Sequence, residues 1–325
     1  MREERIFLHK EGGFALIMVL WVIIILMVIA MSFSLLAKTE TRAALFFRDS
    51  LAESLLAQAG LERALMEIYY RRTNLNKTII PDSGEVSRVD GTIIEGNIGD
   101  DRYVVRIFNE AGRINLNTLN DRNKIILDNL LVNLGVPKDT ADTIVDSALD
   151  WMDKDPLHRL NGAEDDYYQS LPTPYKTKNA PFDTVEELLL VKGVTPDILF
   201  GTKDHKGLIQ FVTVYGDASN INVNVAPKEV IMALPGVSED AAGRIIDRRK
   251  DMELKSLDDV RNAMGGQYSN ASSYIDIAES VGYTIESTGF RRGAKDGHSI
   301  RATVFVKTDG AHEYVYYKTP AEITK

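Results

Sequence analysis

The sequence predicts an α+β fold in which one long N-terminal helix packs on a small antiparallel sheet that carries a large inserted helical domain. Three observations lead to this prediction: an uncharged apolar run near the N-terminus, strand-like segments on both sides of a long interior, and a motif that occurs twice within that interior. The chain has 325 residues, which is enough for a membrane anchor and one large or two small domains with hydrophobic cores.

The composition excludes several classes of function. A net charge of -9 argues against a dedicated nucleic-acid binder, because phosphate contacts need clustered Lys and Arg. The chain has no cysteine, so it forms no disulfide, thiolate metal site or cysteine nucleophile. Acidic clusters that could bind a cation are therefore the most informative polar features.

Residues 14–37 form the apolar run and contain no charged side chain. At about 1.5 Å per residue, a helix of this length crosses the ~30 Å hydrocarbon layer of a membrane. A secretory signal peptide would have a shorter apolar core followed by a small-residue cleavage site. Apolar residues keep a helical spacing beyond the run, and we therefore expect one helix from Phe14 to about Arg72.

Strand signals flank the interior. Residues 92–95 and 103–108 are rich in Ile, Val, Tyr and Phe and are separated by a turn at Gly99, which predicts an antiparallel hairpin. Residues 299–306 and 312–317 repeat this pattern around Asp309-Gly310. The segments between the two hairpins are mostly of helical type.

The interior contains a repeat. Ile-Asn-Leu-Asn at 114–117 recurs as Ile-Asn-Val-Asn at 221–224. Each copy is followed by an apolar helix, a Gly-Val hinge, a second helix and a shorter capped helix. We predict two related helix-hairpin-helix (SAM-like) units, at 114–200 and 221–282.

Helix-hairpin-helix units in repair proteins bind phosphates, so a DNA-binding protein is an alternative interpretation. The second hairpin would then use a basic face. However, Glu239 and Asp240 follow its hinge and would repel phosphate. We therefore expect a packing unit with a solvated helix surface, and we do not expect it to bind nucleic acid. The basic face would consist of Lys228, Arg244, Arg248, Arg249 and Lys250.

A long acidic loop between residues 151 and 181 separates the helices of the first unit. Calcium takes about 6–8 oxygen ligands, and two acidic clusters brought together by the loop could supply them. The alternative is a solvated loop in which Asp side chains cap helices. The candidate ligands are Asp150, Asp153, Asp155, Glu164, Asp165 and Asp166.

An enzymatic function is not expected. The five His residues show no metal-ligand spacing, and the sequence has neither a Gly-Lys-Ser/Thr phosphate loop nor a Gly-x-Ser-x-Gly elbow. A zinc hydrolase near His158 is a third hypothesis, although catalytic zinc needs three protein ligands. We therefore assign no catalytic residue.

Gly12-Gly13-Phe14-Ala15-Leu16 resembles the N-terminus of type IV pilins and type II secretion pseudopilins. This resemblance implies that a prepilin peptidase cleaves between Gly13 and Phe14 and that Phe14 is then N-methylated. Most family members have Glu at the fifth mature position, where this chain has Met18. Absence of that Glu is typical of the K-type minor pseudopilin (GspK), which is placed at the pseudopilus tip.

The interior resembles the large periplasmic domain of the same K-type family. The resemblance rests on Asp150-Trp151, the segment 161–168 (Asn-Gly-Ala-Glu-Asp-Asp-Tyr-Tyr), Phe182-Asp183 and the motif at 221–224. It implies a helical domain inserted into a pseudopilin sheet, with calcium as a possible cofactor bound by the acidic loop.

The resemblance also implies a function. A protein of this family is a single-pass inner-membrane protein with its bulk in the periplasm, and it caps the pseudopilus, helps to initiate its assembly and limits its length. The implied partners are the I-type and J-type minor pseudopilins, the major pseudopilin, the prepilin peptidase and the inner-membrane secretion platform.

The expected organisation follows from these interpretations. We expect a leader at 1–13, the transmembrane part of the helix at 14–37, the amphipathic helix with the first strands at 38–113, the inserted helical domain at 114–285 and the C-terminal strands at 286–325.

Overall fold

The computed structural model describes residues 12–74, 86–307 and 310–323. Most of the expected leader, residues 1–11, lies outside the described residues. The α-helices are α1 (Gly12–Asn74), α2 (Lys124–Asn133), α3 (Lys138–Met152), α4 (Asp165–Gln169), α5 (Pro196–Phe200), α6 (Lys228–Met232), α7 (Glu239–Asp251), α8 (Leu257–Met264) and α9 (Tyr268–Ala271). A 3-10 helix covers Val185–Leu190.

The strands are β1 (Asp90–Ile98), β2 (Asp101–Asn109), β3 (Ile114–Asn115), β4 (Val212–Thr213), β5 (Ile221–Asn222), β6 (Ile275–Asp276), β7 (Gly282–Phe290), β8 (His298–Val306) and β9 (His312–Lys318). Five of them form one antiparallel sheet in the order β1-β2-β7-β8-β9. The mixed fold with a long N-terminal apolar helix and an antiparallel sheet is therefore confirmed.

Helix α1 runs without interruption for 63 residues. It is the one helix in the described part of the chain that is long and apolar enough to cross a membrane. The apolar side chains of its first half are exposed, whereas one face of its last third is buried against the sheet and includes Leu61 and Ile68. The same helix thus combines an exposed apolar segment, residues 14–37, which we call the stem, with an end that packs on the sheet.

Small residues let α1 approach the sheet closely. The Ser287 hydroxyl on β7 donates a hydrogen bond of 2.7 Å to the backbone carbonyl of Ala57. A Cβ at Gly60 would lie 2.8 Å from Val105 Cγ2, and a Cβ at Gly289 would lie 2.6 Å from the backbone nitrogen of Ala57. The helix and the sheet can therefore pack this closely because two of the facing positions, Gly60 and Gly289, carry no side chain.

The helical part of the chain leaves the sheet after β2 and returns at β7, and these two strands are neighbours. Asn109 connects the two points. Its amide nitrogen donates to the carbonyls of Ser280 and Gly282, and its Oδ1 accepts the N–H of Ser280. The insertion is thus closed by one buried side chain at its base.

The repeated Asn residues make equivalent contacts in the two copies. The side chain of Asn117 donates to the carbonyl of Phe182 and accepts the N–H of the same residue. Asn224 forms the same pair of hydrogen bonds with Leu254. In both copies this amide attaches the start of the unit to the segment just before a short helix, which is the 3-10 helix Val185–Leu190 in the first copy and α8 in the second.

Each copy also begins with a two-residue strand that pairs in parallel with a short strand further along the chain. β3 pairs with β4, and β5 pairs with β6. The helices that follow, α2 and α3 in the first copy and α6 and α7 in the second, contribute to one continuous hydrophobic core, which includes Leu130, Ile144, Val230 and Ile245. The two copies therefore pack as one body.

Arg71 joins the end of α1 to the helical part. It is buried, and its guanidinium lies 2.6 Å from Glu279 Oε1 and 2.8 Å from Glu253 Oε2. It also donates to the carbonyl of Ser87. Because removing one partner of a buried ion pair leaves the other charge uncompensated, this cluster ties the end of α1 to the segments on either side of the last helices.

We expect Gly289→Ala to destabilise the sheet domain. Its Cβ would meet the backbone of α1, which cannot move without losing helical hydrogen bonds, so the cost should be about 1–3 kcal/mol. Urea unfolding of the detergent-solubilised chain measures it. The matched control is Gly266→Ala, where no atom lies within 4 Å of the new Cβ, and equal stability of the two variants would contradict the close approach.

Candidate functional site

An aromatic cluster holds the acidic loop in place. Tyr168 is fully buried, and its ring centroid lies 5.3 Å from that of Trp151 and 5.2 Å from that of Tyr175. The Tyr175 hydroxyl donates to the carbonyl of Leu190, and the Tyr168 hydroxyl accepts the N–H of Lys192. The Tyr-rich composition of this segment therefore gives the loop a small core of its own.

Asp150, at the end of α3, is the central carboxylate of the loop. Its side chain is 0% exposed. Oδ2 accepts the backbone N–H groups of Arg159 and Ala163, each at 3.0 Å, and Oδ1 lies 2.7 Å from Arg159 Nη1. Burial raises the pKa of Asp150, and the hydrogen bonds from Arg159 oppose that rise.

Gly162 fits against this carboxylate. A Cβ at this position would lie 2.8 Å from Asp150 Cγ and would overlap Oδ2. Its neighbour Asn161 donates from its backbone and its side chain to Asp146 on α3. The Asn-Gly-Ala segment singled out in the sequence is thus a turn that wraps the buried Asp150.

Glu164 lies at the start of α4 beside the same carboxylates. It is 4% exposed, and its Oε1 has no hydrogen-bond partner. Burial, together with the negative charges of Asp150 and Asp153, raises the pKa of Glu164 to about 7. One oxygen of Asp153, Oδ1, is likewise buried without a partner. The structure therefore brings Asp150, Asp153 and Glu164 together.

The other three candidate ligands are engaged elsewhere or exposed. Asp155 Oδ1 accepts the backbone N–H of Leu157. Asp165 accepts hydrogen bonds from the hydroxyl and the N–H of Thr177, which lower its pKa. Asp166 is exposed at the first turn of α4. Asp155 therefore stabilises a local turn, Asp165 joins α4 to Thr177, and Asp166 bonds only the N–H of its neighbour Tyr167 among the described contacts.

Arg159 is the residue that sequence reasoning missed. Its Nη1 lies 2.6 Å from Asp153 Oδ2 as well as 2.7 Å from Asp150 Oδ1. Within the described ranges, no three or more Asp, Glu or His side chains are arranged to hold a metal ion. The sequence does contain a signal for this role. A single Arg lies between the two acidic clusters, where it can neutralise their carboxylates.

The donor set nevertheless suits a divalent cation. Two carboxylate oxygens, Asp153 Oδ1 and Glu164 Oε1, are buried without a partner, and such oxygens are costly unless a proton or a cation neutralises them. Hard oxygen donors of this kind are those that calcium prefers. A proton or a cation at this point of the loop would neutralise these two oxygens.

Two side chains of the basic face of the second unit are used for packing within that unit. Arg249 is buried, and its Nη1 donates to the carbonyls of Val223 and Ala226, both at 2.7 Å. Arg244 donates to the carbonyl of Ala263. Two of the five candidate phosphate-binding side chains thus bond backbone carbonyls of their own unit. Of the others, Lys228 pairs with Glu239, Lys250 pairs with Asp247, and Arg248 is exposed.

The expected processing site lies at the beginning of α1. Gly13 and Phe14 fall in its first turn, and the Phe14 side chain is exposed. Met18 is also exposed on the apolar stem.

His158 is exposed and contacts the carbonyl of Arg159 rather than a carboxylate. In this arrangement the structure therefore gives His158 no metal-ligand partner.

The fold and the loop define a class of protein: an α+β protein with a membrane-length apolar N-terminal helix and a helical part inserted between two strands of its sheet. Two family models described as type II secretion system (T2SS), protein K match residues 112–215 and 221–278, which together are about half of the chain. The chain belongs to the type II secretion system protein K family.

Named relatives agree with this assignment. The chain is 31% identical to the type II secretion system protein K of Pectobacterium carotovorum subsp. carotovorum over 52% of this chain and 53% of that protein. It is 30% identical to the protein K of Pseudomonas aeruginosa over 54% of this chain and 56% of that protein. The similarity thus spans about half the length of these relatives.

A solved structure shares the fold. It is the crystal structure of the GspK-GspI-GspJ complex from the enterotoxigenic Escherichia coli type 2 secretion system, and a chain of it superposes with a TM-score of 0.64 at 14% identity. The superposition covers 87% of this chain and 100% of that chain. At this identity the likeness concerns the fold alone.

We expect Gly162→Ala to disrupt the loop. The new methyl group would overlap the buried Asp150 carboxylate, with a cost of about 1–3 kcal/mol. Near-ultraviolet circular dichroism should detect the change, because Trp151 and Tyr168 pack beside the loop. Gly243→Ala, on α7 with no atom within 4 Å, is the control, and an unchanged aromatic spectrum in both variants would argue against this packing.

Proposed function

We propose that the protein is a minor pseudopilin that caps the tip of the periplasmic pseudopilus in type II secretion, helps to initiate its assembly and limits its length. The observation that carries the proposal is the continuity of α1, which joins a membrane-length apolar stem directly to the sheet. The stem would anchor the subunit in the inner membrane with the bulk in the periplasm. Its role is assembly rather than catalysis.

The size and position of the helical part support a capping role. Residues 110–281 lie between β2 and β7, and Arg71 joins them rigidly to the end of α1. A body of this size at the far end of the stem would hinder the addition of a further subunit above it. Growth of the filament would then proceed only from below.

Met18 supports the same position. In a filament, a carboxylate at this point of the stem would be buried in an apolar environment and would need a positive partner. A thioether needs no such partner. A subunit with no neighbour above it can therefore carry Met18 where other pseudopilins carry Glu.

The proposed partners are the I-type and J-type minor pseudopilins, the major pseudopilin, the prepilin peptidase and the inner-membrane secretion platform. For the first two, the support is the structural neighbour, which was crystallised as a complex of GspK with GspI and GspJ. The prepilin peptidase would cut between Gly13 and Phe14, and Phe14 would then be N-methylated.

We propose that the two helical copies are duplicated helix-hairpin-helix units that serve as packing modules. Asn117 and Asn224 support this proposal, because each bonds the backbone of one residue at the equivalent point of its unit. The internal use of Arg244 and Arg249 favours packing over phosphate binding.

We further propose that the acidic loop binds calcium. Asp150, Asp153 and Glu164 would hold the ion, and it would supply the positive charge that the two unpartnered oxygens need. Asp155, Asp165 and Asp166 lie on the same loop and would contribute to its negative field. The ion would stabilise the loop and would have no part in catalysis.

Co-expression tests the assembly proposal. When the full chain is produced with the I-type and J-type subunits and the prepilin peptidase of the same secretion system, we expect it to begin at a methylated Phe14 and to co-purify with both subunits. Mass spectrometry of the N-terminus and of the complex measures both results.

In the same experiment Gly13→Phe should remain uncut, whereas the matched variant Gly12→Ala should be processed normally. A wild-type chain that keeps residues 1–13, or that purifies without either subunit, would contradict the proposal.

The pKa of Glu164 predicts a pH dependence. Its folded value of about 7 lies above the ordinary 4.5, so between these values the folded protein binds more protons than the unfolded chain. Metal-free protein should therefore lose stability as the pH rises from 4.5 to 7, by about 2–3 kcal/mol. Calcium should reverse the loss, because it replaces the proton.

Thermal unfolding of the metal-free, detergent-solubilised chain at pH 5 and pH 7.5 measures this dependence. Glu164→Gln should at least halve it, while Glu95→Gln, on the exposed face of β1, should leave it unchanged. A pH-independent Tm of the wild-type chain, or no effect of calcium at pH 7.5, would return the loop to the solvated interpretation.

A further inference from the structure

The guanidinium of Arg159 occupies the oxygens that a cation in the acidic loop would need. Nη1 lies 2.7 Å from Asp150 Oδ1 and 2.6 Å from Asp153 Oδ2. A divalent ion on the same carboxylates would lie close to this positive group, and the two cations would repel each other. Arg159 and an ion therefore cannot both make full use of Asp150 and Asp153.

The course of the loop does not depend on this guanidinium. Asp150 Oδ2 accepts the backbone N–H groups of Arg159 and Ala163, and Asn161 is bonded to Asp146. None of these contacts uses the Arg159 side chain. The loop can therefore keep its shape when the guanidinium moves away.

A second anchor for the guanidinium lies next to the first. Asp121 Oδ1 is 3.6 Å from Arg159 Nε, and the Asp121 side chain is 73% exposed. The Arg159 side chain is itself 26% exposed. A rotation toward solvent would exchange Asp150 and Asp153 for Asp121 and water, without crossing the packed interior.

We propose that Arg159 is a tethered competitor that sets the affinity of the cation site, and that a divalent ion binds by displacing its guanidinium from Asp150 and Asp153. The unpartnered oxygens, Asp153 Oδ1 and Glu164 Oε1, are the first to meet the ion. When the ion leaves, Arg159 returns and neutralises the carboxylates. This inference rests on the cation site of the proposed function.

Calcium titration by isothermal calorimetry tests the proposal on the detergent-solubilised full chain. Arg159→Ala should bind calcium about tenfold more tightly than the wild-type chain or better. Arg159→Lys, which keeps a tethered cation, should lie close to wild type. In chelator, Arg159→Ala should have a lower Tm than wild type, because Asp150 loses its counter-ion.

The matched control is Arg122→Ala. It removes one positive charge from the same unit, next in sequence to Asp121, but its side chain bonds the carbonyl of Ser273 rather than Asp150 or Asp153. It should change the calcium affinity by less than about threefold. A tenfold gain in this control as well would overturn the specific role of Arg159.

Two further results would be decisive. If the wild-type chain binds calcium and Arg159→Ala binds it equally or more weakly, Arg159 is not a competitor, although the cation site stands. If neither chain binds calcium while both are folded, the cation site of the proposed function fails together with this inference. Should Arg159→Ala unfold in chelator, its affinity can be measured from the calcium-loaded state by competition with a chelating dye.

Discussion

The close contact between α1 and β7 is the constraint on which the rest of the structure depends. Gly60 leaves room on the helix for the side chains of Ser287 and Val105, and Gly289 leaves room on the strand for the backbone of α1. Ser287 bonds the backbone of Ala57 across the contact. The central strand of the sheet is thereby fixed to the helix that also carries the membrane-length apolar segment. β2 and β8 pair on either side of β7, so the positions of the other four strands of this sheet follow from the contact. The insertion that begins at the end of β2 is placed with them.

A second constraint is electrostatic and operates in the helical part. Buried carboxylates are costly, yet Asp150 lies with no exposure at the centre of the first unit. Backbone N–H groups and Arg159 satisfy it, and the turn through Gly162 leaves no room for a larger residue. The loop is therefore organised around the Asp150 carboxylate, and each of Asp153 and Glu164 adds a buried carboxylate oxygen beside it. A loop that looks like a solvated acidic segment in composition is in fact built as a partly closed carboxylate cluster.

Much of this arrangement could be predicted from the sequence, because it depends on local patterns. The uncharged run predicted α1, the alternating segments predicted the outer strands, and the repeated Asn motif marked both helical copies. Strand β7 was not predicted, since its Thr, Glu and Ser residues look polar and become buried only through partners on other strands, such as Arg301 for Glu286. Of the six candidate ligands, Asp150, Asp153 and Glu164 lie together. The other three do not, because spacing along a loop does not determine which side chains bond to local backbone instead. The partners of Arg71 lie 182 and 208 residues away, and no local pattern indicates such a pair.

The contact of Asn109 with Ser280 and Gly282 has an evolutionary consequence. Because the chain leaves the sheet and returns to it on adjacent, hydrogen-bonded strands, the ends of the inserted segment are held together whatever lies between them. Lengthening or shortening that segment adds little loop-closure entropy and leaves the strand register intact. The inserted segment can therefore gain or lose residues, by duplication or by a longer loop, while the sheet and the packing of α1 on it stay unchanged.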